Sequence, residues 1–121
     1  MQDKQGNEIR VGLMPKYSAY IVAYEGEEHP AGVASFYDAP TGERIFYHTE
    51  IAPRYEGRGL ASALVSEALR LTSADGVTVV ASCPVVHGWL EKHPEFAGEW
   101  RIPTPEDIRA LQHGLGLGSG H

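Results

Sequence analysis

Three stretches in the first half of the chain alternate side chains with the period of two expected of strands. In residues 18–25, Tyr20, Val22 and Tyr24 alternate with Ala19, Ile21 and Ala23. Residues 31–37 set Val33 and Tyr37 against Ala34 and Phe36. Residues 43–52 set Ile45, Tyr47, Thr49 and Ile51 on one face and Phe46, His48 and Glu50 on the other. Asp38-Ala39-Pro40-Thr41-Gly42, between the second and third stretches, has the residues of a tight reversal, so a hairpin is predicted there. Residues 1–16 show no sustained period. They read as a flexible lead-in with at most one short strand at 9–13, and no function is expected of them.

From residue 60 the period changes. Leu60, Ala61, Leu64, Val65, Ala68, Leu69 and Leu71 recur at helical spacing to about Ala74, and Asp75-Gly76 closes the helix. Residues 77–82 form a short apolar run between Gly76 and Pro84, the pattern of a strand buried on both faces. Strand, helix and strand make a right-handed βαβ crossover. Pro84 suits a first helical turn, and Val86, Trp89, Leu90 and His93 share one face of a short helix ending before Pro94. Residues 99–102 could add an edge strand, and Thr104-Pro105-Glu106-Asp107 opens a last helix to about His113. The expected fold class is α/β (α+β), a mixed sheet of antiparallel strands plus one βαβ crossover. One domain is expected at 17–97, with an extension carrying a short helix at 98–113 and a disordered Gly/Leu tail at 114–121.

Composition narrows the function classes. At 121 residues, 42% apolar and 21% charged, the chain can hold its own core. It has no apolar run near membrane length and no signal-peptide pattern, so a cytoplasmic monomer without a membrane partner is expected. Ten basic against sixteen acidic side chains give net −6, which argues against nucleic acid and favours a cationic partner. The single cysteine, Cys83, excludes an internal disulfide. Cys83-x-x-x-His87 lacks a second pair of ligands at metal spacing, so no metal is expected. Trp89 and Trp100 read as packing residues.

Candidate chemistry begins at residues 53–63, where a glycine-rich turn feeds the long helix. A helix start carries backbone N–H groups without internal partners and a partial positive charge, so it receives an anion such as phosphate. Gly57 and Gly59 let the backbone approach such a group, and Arg54 and Arg58 flank it. His48 and Glu50, two residues apart in a strand, suit a base and the carboxylate that orients it. Cys83 follows a buried strand and precedes a helix start, a position that favours thiolate.

Arg54-x-x-Gly57-x-Gly59 between strand and helix resembles the acyl-CoA pyrophosphate loop of the GCN5-related N-acetyltransferases. Phe46-Tyr47-His48-Thr49-Glu50-Ile51, Gly57-Arg58-Gly59-Leu60-Ala61, Ser82-Cys83-Pro84-Val85-Val86 and Lys92-His93-Pro94-Glu95-Phe96 together resemble the small YjdJ-type branch of that superfamily, over residues 20–96. The resemblance implies acetyl-CoA as co-substrate, its pyrophosphate on the amides of Gly57, Arg58, Gly59, Leu60, Ala61 and Ser62 and its pantetheine arm near Ile51. It implies Cys83 and His48 as an active pair, and a small amine or a protein or peptide amine as acceptor. Transfer could be direct, the amine deprotonated by His48, Glu50 or water, or by way of an acetyl-thioester on Cys83 activated by His48. A CoA-binding module without efficient transfer is the alternative. Many superfamily members use a tyrosine beyond the last core strand as general acid, whereas the last tyrosine here is Tyr55.

Overall fold

The structure, a computed structural model, describes residues 1–116. Its elements in chain order are β1 (Ile9–Met14), β2 (Ala19–Tyr24), β3 (Gly32–Asp38), β4 (Arg44–Ile51), α1 (Leu60–Ala74), β5 (Val79–Ala81), α2 (Pro84–Lys92), β6 (Trp100–Arg101) and α3 (Pro105–Gly114). The six strands form one sheet in sequence order, antiparallel from β1 to β4 and parallel from β4 through β5 to β6. This is the mixed α/β fold with a βαβ crossover that the patterning predicts.

Alternation in the sheet sorts the core. Ile9, Tyr20, Val22, Ala34, Phe36 and Phe46 meet Leu64, Val65, Ala68 and Leu69 of α1 and Val86 and Leu90 of α2 in one cluster. A fully buried side chain of the size of Leu64 or Leu69 stabilises the fold by about 1.5–3 kcal/mol. A polar tie crosses this layer: the Tyr20 hydroxyl lies 2.9 Å from Thr72 Oγ1, and Arg44 Nη1 donates to it at 2.6 Å. On the opposite face, Ala39, Ile45 and Val80 form a smaller cluster against Leu111 of α3.

The N-terminal residues depart from the expected lead-in. Residues 9–14 are a full strand, and Ile9 is wholly buried. Ahead of it Gln2 bridges Glu8, and the Asp3 carboxylate accepts from the backbone N–H of Gln5 and Asn7 at 2.9 Å each and from the Tyr24 hydroxyl at 2.6 Å. A carboxylate taking several hydrogen bonds orders a segment that has little apolar content of its own. In the expected tail, Gly114 closes α3 and residues 115–116 form a turn, while 117–121 lie outside the described residues.

The second departure is in β4. Ser35 pairs with His48 but Phe36 pairs with Phe46, so Tyr47 is an extra residue, a β-bulge. Beyond it the alternation inverts. Thr49 and Ile51, opposite Ala34 and Gly32, join Phe46 on the α1 side, and His48 and Glu50, opposite Ser35 and Val33, face outward with Ile45. The uninterrupted alternation expected from the sequence is therefore corrected at this point.

Candidate active site

Strands β4 and β5 pair only over Arg44–Phe46 and Val79–Ala81. The N–H groups of Ser82 and Cys83 both bond Phe46 O, at 3.0 and 2.8 Å, and after that the chains part. The second half of β4 thus has no strand on its β5 side. Ala52 N–H bonds Ala31 O, which fixes the alternation so that the backbone groups of Thr49 and Ile51 turn away from β3 and into the crevice. Gly32 makes this packing possible, because a Cβ there would lie 2.4 Å from Ile51 Cδ1.

The crevice leads to the loop before α1. Pro53–Tyr55 is a single 3-10 turn, and Gly57 and Gly59 have φ of +81° and +76°, the left-handed region that favours glycine. Gly59 is the N-cap of α1 and supplies no side chain to cap it. Among the described residues, none of the N–H groups from Gly57 to Ser62 donates a hydrogen bond within the chain. Six successive amides at the positive end of a 15-residue helix are therefore open. They border a hollow of about 210 Å³ walled by Ile51, Tyr55, Glu56 and residues 57–62 other than Arg58. Leu60 is 2% exposed, so it can offer a ligand its amide but not its side chain.

The two arginines differ. Arg54 is exposed, its guanidinium 4.8 Å from the centre of the Tyr55 ring. Arg58 is half-buried between Tyr24 and Tyr55, at 5.6 and 5.3 Å from the ring centres, with Nη1 donating to the Tyr24 hydroxyl at 3.4 Å. Tyr24 in turn donates to Asp3. That bond, followed by the amide donors around it, holds the Asp3 carboxyl down at about 2 against a burial cost that opposes ionisation. Burial, and then the same bond, raise the Tyr24 phenol.

Of the candidate chemical residues, the structure joins His48 to Glu50, Nε2 to Oε1 at 3.0 Å, on the outer face. Both are more than half exposed, so the pair itself contributes little stability, under about 1 kcal/mol. It does not join His48 to Cys83. Cys83 is 2% exposed on the α1 side, where its Sγ lies 3.3 Å from Thr49 Oγ1. The bulge at Tyr47 separates the two, since unbroken alternation from Phe46 would have turned His48 to the helices. Thr49 carries no signal of this position in the sequence, and Lys4, whose stem lies across Gly59, sits in a stretch without periodicity. The Asp3-to-Asn7 turn, rich in turn-forming residues, was the available signal for the second.

Among the described residues, no group of three or more His, Cys, Asp or Glu is gathered so as to hold a metal ion, and no helix is long and apolar enough to cross a membrane. A family model described as GCN5-related N-acetyl-transferase matches residues 19–98. No curated protein and no solved structure matches the chain.

Proposed function

This chain belongs to the GCN5-related N-acetyltransferase family, and from that membership we propose that it binds acetyl-CoA and passes the acetyl group to an amine. The observation that carries the reading is the run of six open amides from Gly57 to Ser62 beside the crevice between β4 and β5. These residues fit the cofactor: the amides and Arg54 suit a pyrophosphate, and the backbone groups of Thr49 and Ile51 turned into the crevice suit the amide groups of a pantetheine arm. The four motifs at 46–51, 57–61, 82–86 and 92–96 support the small YjdJ-type branch.

Bound acetyl-CoA supplies an activated acyl group as a thioester. Toward it the chain offers different chemistry from the two faces of β4. On the outer face His48, oriented by Glu50, takes the proton of an amine whose nitrogen attacks the acetyl carbonyl directly, the C–S bond breaking as CoA leaves as a thiolate that water protonates, which makes His48 the base and Glu50 its partner. On the helix side Cys83 and Thr49 line the crevice. The acceptor is a small amine or the amine of a peptide. A direct route is favoured over an acetyl-thioester on Cys83, because the Cys83 sulfur is buried and its polar neighbour is a hydroxyl rather than an imidazole.

The test is acetyl transfer to a panel of amines and peptides, with CoA titrated by calorimetry. Wild type should bind CoA and turn over. His48→Ala should lower kcat about a hundredfold, within the range for loss of a general base. Cys83→Ala should keep most of the turnover. Abolished turnover in Cys83→Ala, with an acetyl increment on intact wild type that the variant lacks, would establish the thioester route instead. Binding without transfer to any acceptor would reduce the protein to a CoA-binding module, and absence of binding would refute the reading.

A further inference from the structure

The His48–Glu50 pair, the glycine loop and the crevice all lie within the family match, but residues 1–8 lie outside it and fold directly against the loop. They form a strap closed by Ile9 N–H to Met1 O at 2.9 Å and Asp3 N–H to Asn7 O at 3.0 Å. The Asp3 carboxylate fastens it to Tyr24 of β2. At its turn, Lys4 N–H bonds the carbonyl of Arg58, inside the loop, at 3.0 Å. The Lys4 side chain then crosses Gly59 so closely that a Cβ there would lie 3.0 Å from its Cγ and 3.2 Å from its Cε. Its ammonium has no carboxylate partner among the described residues. Lys4, Arg58, Gly59 and Ser62 share the wall of a groove of about 840 Å³ that runs over the solvent face of α1.

We propose that the strap is part of the cofactor site and that the Lys4 ammonium binds the pyrophosphate received by the amides of Gly57 to Ser62. The inference rests on the acetyl-CoA reading above. Two features specify pyrophosphate. The stem of Lys4 is laid over the glycine that caps α1, which holds its charge beside Gly59, in the groove that shares Gly59 and Ser62 with the hollow of open amides. Arg58, the neighbouring cation, is drawn between Tyr24 and Tyr55, whereas the Lys4 ammonium has no carboxylate partner among the described residues and is free to meet the doubly charged group.

Calorimetric titration of the full chain tests this with Lys4→Gln, which keeps the stem and the backbone bond to Arg58, and with Lys4→Arg. Three ligands divide the contact: CoA, dephospho-CoA, which lacks the 3′-phosphate, and pantetheine, which lacks all phosphates. Lys4→Gln should weaken CoA and dephospho-CoA by the same factor, about ten, as for loss of a hydrogen bond to a charged group. Pantetheine should be unaffected, Lys4→Arg should restore most of the loss, and the melting temperature should not move. Equal CoA affinity in wild type and Lys4→Gln would overturn the proposal while leaving the acetyl-CoA reading intact. A loss seen with CoA but not with dephospho-CoA would overturn the assignment to pyrophosphate. Wild type that binds no CoA would remove the reading on which the proposal stands.

Discussion

Gly59 does three things at once: it holds a positive φ, caps α1 and passes beneath the Lys4 stem. Gly59→Ala should therefore cost about 1–2 kcal/mol of stability from the left-handed backbone alone. It should also lower CoA affinity more than a change of equal stability elsewhere, as read by paired thermal melts and CoA titrations. Asp3 and Asp107 allow a different test. Each carboxyl is held at about 2, Asp3 first by the Tyr24 hydroxyl and Asp107 first by Arg101. In the unfolded chain such groups titrate near 3.9. Because the folded values are depressed, the stability they contribute is complete above about pH 4 and is lost as pH falls from there through about 2. Urea midpoints measured across that window should fall with pH, and Asp3→Asn combined with Asp107→Asn should flatten the fall. An unchanged fall in the double variant would show that other groups carry it.

Elements were more legible in the sequence than the faces they present. Strand, turn and helix in residues 43–74 follow from alternation, a glycine turn and a helical period, and the structure has them within a residue or two. Where β4 turns its side chains was not legible, because a bulge adds one residue without any marker such as glycine: Tyr47 is an ordinary strand former. The same limit hid the strap, whose order comes from one carboxylate and a bridge to β2 rather than from periodicity. The last helix shows the opposite case. Thr104 was legible as its N-cap, and the structure adds a full capping box with Asp107, which also binds Arg101 of β6. Thr104→Ala should cost about 1 kcal/mol, visible in the denaturant midpoint, and should leave CoA affinity unchanged because α3 packs on the face away from α1.

The molecule as a whole has two unequal faces. Helices α1 and α2 cover one, while α3 covers the other only near Ile45 and Val80, leaving His48 and Glu50 on open sheet. With net charge −6, that arrangement should attract cationic acceptors over a distance set by ionic strength. For a diamine or lysine-containing peptide, kcat/KM should fall as salt rises from 0.01 to about 0.3 M, whereas a neutral amine mimic should show little dependence. A flat response for both would point to recognition by contact alone.

Tyr47 gives β4 something like a reading frame. Everything before it is in one phase and everything after it in the other, so the bulge decides which side chains face the helices and which face the open side of the sheet. Deleting Tyr47 would take out the bulge while Phe46 stays opposite Phe36 and His48 opposite Ser35, so His48 and Glu50 would keep facing outward and Thr49 and Ile51 would keep facing the helices. Drawing Tyr47 into the ladder without shortening the chain would instead shift every later residue of β4 by one, turning His48 and Glu50 to the helices and Thr49 and Ile51 to water.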